Sequence, residues 1–539
     1  MKLKLLALVS IFTVNNVAQE VVENTNFKVR YNTKETVLEV KDEVYIANVK
    51  DAFTNESITT TFQNNKAVIT PTYPGQILKV VYNSKGLNHT EYIATKSAST
   101  GEIKVYFNHP VDNTVAFTGN NAVNLGNILD DKLIEKINAC SQTLDIAIYN
   151  SYSPNSTSGI AGAINNAYAR GVQVRVIYDG STSSVMIPLL NASIPKVASP
   201  QSADFTIMHN KFVIFDANHT DATKSLVWTG ATNWTTAQID GPDMNNVITI
   251  QDQALALGYK LEFEEMWGSS TMIPNPTNAR FGQYKTDNTP HTYIIGGKTI
   301  ESYFSPSDGV TNKIVNTINT ANNDLNIATM LITRNEIATA IINRYNVGVQ
   351  NTNLVVDTQN PSGNDFPIIQ SSILPNHAVV DVLSGVMHHK FMVVDNSNIS
   401  SDPLVLTGSH NWSSGAETNN DENTLIVHDA NIANQYYQAF YYIYTQANGV
   451  LSINENLLND TNFKVFPNPF DNVITLRNAI NSTNQLEVAI FDLTGKKVFN
   501  RKVNFVEEEK IELNQFTSGI YILKINSENT SKQIKLIKR

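Results

Sequence analysis

The sequence predicts a duplicated α/β fold with a small β-sandwich domain at each end. Three observations carry this prediction. Helical patterns alternate with apolar strands between residues 101 and 448, and the order of these elements occurs twice. Short strands with alternating apolar and polar residues occur at residues 20–100 and again at 463–539. At 539 residues, the chain is also too long for one ordinary hydrophobic core.

The N-terminus has the pattern of a secretory signal peptide, which we place at residues 1–18. Lys2 and Lys4 precede an apolar stretch from Leu5 to Val14 that is too short to cross a bilayer. No later stretch reaches the roughly 20 apolar residues of a membrane helix, so we expect an exported, soluble protein. Cys140 is the single cysteine, which excludes an internal disulfide framework and a cysteine-rich zinc site.

Residues 20–100 form the first predicted β-rich domain. Phe27–Tyr31, Thr36–Val40 and Ile77–Tyr82 each alternate apolar and polar side chains. We see no catalytic constellation there, so we interpret this part as an accessory domain.

The duplication divides residues 101–448 into repeat one, 101–280, and repeat two, 300–448. In each repeat an amphipathic helix leads into an apolar strand, and a second helix ends in Gly-Val-Gln before a strand that ends in Asp. Asp145 and Asp324 are 179 positions apart, and so are His209 and His388. We interpret this offset as the result of duplication, with each repeat built around a mostly parallel sheet.

Residues 449–462 are polar and rich in Asn, and we assign them as a linker. The following unit opens with Phe466-Pro467-Asn468-Pro469, continues with the turn Asp492–Lys496, and includes Gly519-Ile520-Tyr521. These motifs resemble the type A C-terminal sorting domain of the type IX secretion system. For residues 463–539 the resemblance implies contact with that secretion machinery and export through the periplasm and across the outer membrane. The mature protein would then be secreted or held at the cell surface.

One nine-residue stretch occurs in both repeats, at Met208–Asp216 and Met387–Asp395. Each copy has a His, a Lys two positions later and an Asp five positions after the Lys. Alternate side chains of a strand share a face, so the His and Lys of each copy point together. Two imidazoles and two ammonium groups brought to one place would form a site for a phosphate group.

Each copy is followed by a Gly and an Asn, at Gly230-Ala231-Thr232-Asn233 and Gly408-Ser409-His410-Asn411. The full pattern, present twice, resembles that of the phospholipase D superfamily. The resemblance implies two α/β halves with one active site between them, and phosphodiester cleavage without a metal or other cofactor.

The resemblance also implies a role for each site residue. His209 would attack phosphorus, forming a covalent phosphohistidine, and His388 would be the general acid. Lys211 and Lys390 would complete the catalytic pairs. Asp216 and Asp395 belong to the same motifs, but their strand parity is opposite to that of the His, so a structural role is equally open. The predicted phosphate ligands are Asn233, Asn411 and Ser409.

The two halves differ downstream of the motif. Repeat two has Glu422 where repeat one has Asn245. In the family, this Glu orients the His of its own half, so the resemblance predicts that His388 is polarised more strongly than His209. This inequality leaves open which His attacks. His389 and His410 flank the site, and we interpret both as packed or solvated residues.

The charge of the two repeats indicates the class of substrate. Residues 101–447 contain 16 Lys and Arg against 30 Asp and Glu. A nuclease gathers basic residues along its phosphate track, so we favour a phospholipid at a membrane surface, with hydrolysis or transfer of its headgroup, and expect no stable nucleic-acid partner. A nuclease of the same superfamily and a non-catalytic binding protein are the alternatives. We expect a monomer.

Overall fold

The computed structural model describes residues 20–23, 26–32, 34–41, 43–151, 154–182, 184–201, 205–357, 363–449, 463–478, 484–492, 495–505, 508–526 and 531–539. The predicted signal peptide lies outside these residues, as does the predicted linker except for Gly449. The chain divides into two compact units, residues 1–451 and 452–539.

Eight strands form the N-terminal β-domain, in a five-stranded and a three-stranded antiparallel sheet. Alternate side chains of these strands share one core that contains Phe27, Leu38, Ile69 and Val80, as expected for two sheets packed face to face. The strands are β1 (Glu20–Glu23), β2 (Phe27–Tyr31), β3 (Thr36–Val40), β4 (Val44–Asp51), β5 (Thr60–Gln63), β6 (Lys66–Ile69), β7 (Ile77–Ser84) and β8 (Leu87–Ala94).

Repeat one is built on an eight-stranded sheet in the order β10-β9-β16-β15-β14-β11-β12-β13. Its strands are β9 (Ile103–Phe107), β10 (Val123–Asn124), β11 (Thr143–Ile148), β12 (Gln173–Tyr178), β13 (Lys196–Ala198), β14 (Lys211–Phe215), β15 (Leu226–Gly230) and β16 (Asn246–Ile250). Its helices are α1 (Leu129–Ala139), α2 (Pro154–Ala169), α3 (Met186–Leu189), α4 (Thr236–Ile239) and α5 (Gln253–Trp267).

Repeat two has a second eight-stranded sheet, in the order β17-β18-β24-β23-β22-β19-β20-β21. Its strands are β17 (Thr292–Ile295), β18 (Lys298–Ser305), β19 (Asp324–Thr329), β20 (Asn351–Val356), β21 (Ala378–Val380), β22 (Lys390–Val394), β23 (Leu404–Gly408) and β24 (Glu422–His428). Its helices are α6 (Val310–Thr320), α7 (Asn335–Asn346), α8 (Phe366–Ser372), α9 (Ser414–Thr418) and α10 (Ala430–Gln446).

The duplicated α/β fold is confirmed, but the sheets are mixed rather than mostly parallel. In repeat one, β11, β12 and β13 pair in parallel, because a helix crosses over between successive strands. The pairs β11–β14, β14–β15, β15–β16 and β16–β9 are antiparallel. Repeat two has parallel pairs at the equivalent edge, β19–β20 and β20–β21. The far edges differ, because β10 pairs in parallel with β9 whereas β17 pairs antiparallel with β18.

Strand register corrects one equivalence drawn from the sequence. Leu144 pairs with Phe215 in β14, and Leu325 pairs with Val394 in β22. Since Phe215 and Val394 are equivalent positions of the two motifs, Asp145 is equivalent to Asn326 and not to Asp324. The 179-residue offset therefore holds for the His-Lys-Asp motifs, whereas β11 and β19 are offset by two further positions.

The last helix of each repeat lies in a core shared by both halves. Tyr259 and Trp267 of α5 and Tyr436 and Phe440 of α10 are fully buried in the same hydrophobic cluster. Two short backbone bridges also link the halves, Met208 to Asp421 and Met244 to Met387. These bridges place the start of each His-Lys motif beside the start of the last strand of the opposite repeat.

The C-terminal unit has a three-stranded and a four-stranded antiparallel sheet, which together hold a core that includes Ile474, Val488 and Leu523. Its strands are β25 (Phe463–Phe466), β26 (Val473–Asn478), β27 (Asn484–Phe491), β28 (Lys497–Phe505), β29 (Glu508–Glu512), β30 (Gly519–Asn526) and β31 (Ser531–Lys538). Among the described residues of the whole chain, no helix is long and apolar enough to span a membrane.

Candidate active site

Each His-Lys motif is held in place by an Asp that follows another strand of the same sheet. Asp179, after β12, accepts a hydrogen bond from the backbone N–H of Met208 at 2.8 Å. Asp357, after β20, accepts one from Met387 at 2.9 Å. Sequence reasoning noted both aspartates but gave them no role. Their occurrence at equivalent positions of both repeats is the sequence feature that could have indicated a role.

The histidines of the two motifs are oriented by residues of the opposite repeat. His209 Nδ1 lies 2.6 Å from Glu422 Oε2, and His388 Nδ1 lies 3.0 Å from Asn245 Oδ1. The expectation that each half orients its own His was therefore wrong. The physical reason is the pair of bridges between the halves. One bridge brings the start of β24 next to the segment before Lys211, and the other brings the segment before β16 next to the segment before Lys390. His209, not His388, has the carboxylate partner.

The two lysines occupy matching positions. Lys211 Nζ donates to the backbone carbonyl of His209, and Lys390 Nζ donates to that of His388, both at 2.7 Å. Lys211 is 3% exposed and Lys390 1%. Burial lowers the pKa of Lys211 to about 7, although the charges of Glu422 and Asp179 oppose the shift. Burial and the charge of Lys211 lower the pKa of Lys390 well below its usual range. A negatively charged group placed between them would reverse both effects.

The imidazoles are equally enclosed, with His209 4% and His388 8% exposed. Burial, followed by the charges of Lys211 and Lys390, lowers the pKa of each His well below its usual value. A neutral imidazole that donates through Nδ1 to Glu422 or Asn245 keeps a lone pair on Nε2. The orientation therefore leaves the second nitrogen of each ring available for chemistry.

The predicted phosphate ligands differ in whether their side chains already have hydrogen-bond partners. Asn233 and Asn411 each have a buried side-chain Oδ1 without a hydrogen-bond partner among the described residues. The Ser409 hydroxyl is fully buried and accepts a hydrogen bond from the backbone N–H of Asn423 at 3.0 Å. Ser409 thus fixes β24 beside Glu422 as an acceptor, and its predicted place among the phosphate ligands stays a prediction.

Asp216 and Asp395 lie at the other end of the motif strands, in turns with positive φ. Asp216 accepts hydrogen bonds from the backbone N–H groups of Ser141, Gln142 and Thr143, at 2.6–2.9 Å. Asp395 accepts the equivalent bonds from residues 322–324. Both carboxylates hold the turn that leads into the neighbouring strand. Asp216 and Asp395 therefore have the structural role that strand parity had left open, and the prediction that groups them with the catalytic residues is corrected.

Tyr149 is a neighbour of the site that sequence reasoning missed. Its ring centroid lies 4.7 Å from that of His209, and Lys211 Nζ lies 5.1 Å from the centre of the Tyr149 ring. The equivalent position in repeat two is Met330, because the backbone N–H groups of both residues donate to matching carbonyls, of Asn210 and His389. At this position, therefore, an aromatic ring flanks the motif histidine of repeat one but not that of repeat two.

His389 belongs to a buried network behind the motifs, in agreement with its interpretation as a packed residue. His389 Nδ1 accepts from Asn246 Nδ2 at 2.8 Å, and its Nε2 lies 2.7 Å from Nε2 of His109. His109 Nδ1 lies 2.8 Å from the carbonyl oxygen of Pro110. One neutral tautomer of each ring satisfies all these contacts, so both imidazoles are structural.

A buried ion cluster fixes the carboxylate side of the site. The ammonium of Lys285, in the connection between the repeats, contacts Glu262 and lies 3.5 Å from Asp421. The backbone N–H of Gly282 donates to Asp421 at 2.8 Å. Asp421 directly precedes Glu422, so this connection anchors the residue that supports His209.

Among the described residues, one cluster of two carboxylates and an imidazole has the ligand types of a metal site. Asp287, His291 and Asp308 have ligand atoms within 4.8 Å of one another. His291 Nε2 lies 3.1 Å from Asp287, and its Nδ1 lies 3.2 Å from the carbonyl of Ser302. Both ring nitrogens therefore already have partners, and the group shares no residue with the His-Lys cluster.

Comparison with known proteins places this geometry in a family. The model of a "Cardiolipin synthase, PLD-like domain" matches residues 133–267 and 314–444, and that of a "Secretion system C-terminal sorting domain" matches residues 464–539. The chain is similar to a Drosophila melanogaster mitochondrial cardiolipin hydrolase, with 31% identity over 25% of this chain and 57% of that protein. It is also similar to a phospholipase D of Rickettsia bellii, with 24% identity over 29% of this chain and 78% of that protein.

Among solved structures, a phosphatidylserine synthase of Haemophilus influenzae aligns with 62% of this chain and 90% of its own length, at 13% identity and a TM-score of 0.44.

The sorting domain directs export by type IX secretion to the cell surface or beyond. Two matched repeats, each with a complete His-Lys motif, occupy most of the region between the terminal β-domains. The chain is a member of the phospholipase D superfamily that ends in a type IX secretion sorting domain.

Proposed function

We propose that the chain is a secreted phosphodiesterase that cleaves phospholipid headgroups between His209 and His388. The observation that carries the proposal is the crossed support of the two imidazoles, with Nδ1 of each held by the opposite repeat and both ammonium groups buried beside them. Such a site binds a phosphate group between two ring nitrogens, one on each side of phosphorus.

In the first step, Nε2 of His209 attacks phosphorus and the bond to the leaving-group oxygen breaks. His388, protonated on Nε2, transfers its proton to that oxygen. The product is a phosphohistidine on His209 and a free alcohol. In the second step, His388 removes a proton from water, the oxygen of that water attacks phosphorus, and the P–N bond breaks to restore His209.

The assignment of His209 as nucleophile follows from its partner. Attack turns the imidazole of His209 into a cationic phosphoimidazolium, and a buried carboxylate on Nδ1 stabilises that charge. Asn245 gives His388 a neutral partner, so His388 can more readily lose its proton. Lys211, Lys390, Asn233 and Asn411 would bind the non-bridging oxygens and offset the charge that develops on them.

The acidic balance of the repeats supports a lipid substrate rather than a nucleic acid, because nucleic-acid affinity comes largely from basic residues along the phosphates. The names of the relatives, a cardiolipin hydrolase and a phospholipase D, agree with this substrate class. Either hydrolysis or transfer to another alcohol is compatible with the second step.

The test is turnover of phosphatidylglycerol vesicles and of plasmid DNA, side by side and with a chelator present. We expect cleavage of the lipid, at least 10³-fold slower in His209→Ala and His388→Ala, in line with the loss of a nucleophile or general acid. Samples quenched in alkaline denaturant, in which the P–N bond of a phosphohistidine survives, should contain a phosphoenzyme in wild type and in His388→Ala but not in His209→Ala. Faster turnover of DNA than of lipid would contradict the substrate class. Full activity in His209→Ala would contradict the site.

A further inference from the structure

His410 is a third buried imidazole at the site, and its environment differs from that of His389. The side chain is 2% exposed, and neither ring nitrogen has a hydrogen-bond partner among the described residues. The nearest ion-pair contact, from Nε2 to Glu417 Oε2, is 3.8 Å long. A buried polar group without a hydrogen-bond partner destabilises the folded protein. His410 is therefore expected to contact something that enters the site.

His410 lies close enough to His209 and Glu422 for its charge to act on both. It lies between Ser409 and Asn411, and its charge would lower the pKa of His209. The charges of Glu422 and Arg334 act on His410 in turn. Two neighbouring groups also have open hydrogen-bonding capacity, Nε of Arg334 and Oδ1 of Asn411, both buried and without partners among the described residues.

Repeat one has no such arrangement at the equivalent position. Thr232 occupies the place of His410, and its hydroxyl donates to the backbone carbonyl of Asn246 at 3.0 Å. The hydrogen-bonding capacity that is open around His410 is thus a property of repeat two.

The chemistry of these groups indicates the kind of ligand. Burial lowers the pKa of His410 to about 4, so the ring is neutral near pH 7, with one N–H donor and one acceptor nitrogen. A hydroxyl group both donates and accepts, and therefore matches a neutral imidazole. The guanidinium of Arg334 can only donate, which adds a preference for an oxygen acceptor.

We propose that His410 and Arg334 form a subsite for a hydroxyl-bearing arm of the phosphodiester, such as a glycerol headgroup. This subsite rests on the proposed function, since it lies beside the phosphate position of that reaction. It adds a preference among phospholipids that the His-Lys pairs themselves do not provide, because those pairs contact only the phosphate.

The test is calorimetric binding of glycerol 3-phosphate and of propyl phosphate, which has the same carbon chain without hydroxyl groups. In wild type we expect the Kd of glycerol 3-phosphate to be about tenfold lower, which corresponds to about 1.4 kcal/mol. His410→Phe should bring the two Kd values within about twofold. His410→Gln retains a donor and an acceptor and should restore most of the preference. The control Thr232→Val should keep the wild-type ratio. Equal Kd values in wild type, or an unchanged ratio in His410→Phe, would overturn the subsite.

Turnover of phosphatidylglycerol separates this inference from the proposed function. If glycerol 3-phosphate is preferred but no phospholipid is cleaved, the lipid substrate is wrong and the hydroxyl subsite stands. If phosphatidylglycerol is cleaved but the two phosphates bind equally, the lipid substrate stands and the subsite is wrong. Because the binding assay requires no turnover, neither result depends on the other.

Discussion

Replacing Glu422 by Gln tests the crossed support of the histidines most directly. The substitution keeps the shape of the side chain and removes the charge that faces His209 Nδ1 at 2.6 Å. Glu422 is completely buried, so water does not screen this interaction. Hydrogen bonds to charged groups contribute about 1.5–3 kcal/mol, which predicts a roughly 10- to 150-fold slower formation of the phosphoenzyme.

The matched comparison is Asn245→Ala, which removes the 3.0 Å contact to His388. This hydrogen bond joins an imidazole to a neutral amide, and such bonds contribute about 0.5–1.5 kcal/mol, or roughly 2- to 13-fold in rate. Glu422→Gln should therefore be the more damaging change. Rapid-quench measurement of phosphoenzyme formation gives both rates under identical conditions.

The choice of substrate separates support of the nucleophile from support of the general acid. Bis(p-nitrophenyl) phosphate has a leaving group that departs without protonation, so a defect in the general acid is largely hidden with this substrate. If Glu422 supports His209, the Glu422→Gln defect persists with it. A defect that is large on phosphatidylglycerol and absent on bis(p-nitrophenyl) phosphate would refute the pairing of Glu422 with the attacking imidazole.

Four further outcomes are expected. Because the pKa of Lys211 is lowered to about 7, the affinity for sulfate, which keeps one charge state, should fall as pH rises through 7, and calorimetry on Lys211→Met should show a flatter dependence. Asp216→Ala should destabilise the fold by about 1–3 kcal/mol at pH 7 in urea unfolding, through loss of bonds to three backbone N–H groups, with little change in kcat per folded molecule. Burial alone would raise the pKa of Asp216, but these hydrogen bonds lower it in the folded protein. The extra stability of wild type over Asp216→Ala is therefore present above the pKa of Asp216 in the unfolded chain, near 3.9, and is lost as pH falls through the lower pKa in the folded protein. Lys285→Met should lower the free energy of unfolding by about 3–5 kcal/mol, because it leaves Glu262 and Asp421 without their cation. Adding Glu262→Met to the same chain should recover part of that stability, and thermal unfolding of both variants measures the difference. Removal of residues 452–539, a separate compact unit, should abolish export while the purified remainder keeps its phosphodiesterase activity.

The His-Lys pairs and the duplicated α/β fold could be predicted because the relevant signals are local and occur twice. A His and a Lys two positions apart share a strand face in any register, and this parity also left a structural role open for Asp216. The partner of His209 could not be predicted in this way. Glu422 is 213 positions away, and its contact depends on how the two halves meet, which no spacing within one half records.

Two other results depend on tertiary contacts. Asp145 and Asp324 share a residue type at the motif offset by coincidence, and only strand register reveals the shift. His389 and His410 are both flanking histidines in the sequence, but the first has a partner for each ring nitrogen and the second has none among the described residues. The difference arises because Asn246 and His109 reach one ring from the opposite repeat.

The exchange of supporting residues between the repeats has a consequence for how such a site can change through evolution. Two separate, identical copies of one repeat would have to give both imidazoles the same partner, either carboxylate or amide. Once both copies are on one chain, a substitution at position 245 alters the environment of His388 alone, and a substitution at position 422 alters that of His209 alone. On a single chain each imidazole can therefore be tuned without changing the partner of the other, and Glu422 and Asn245 are two such unlike partners.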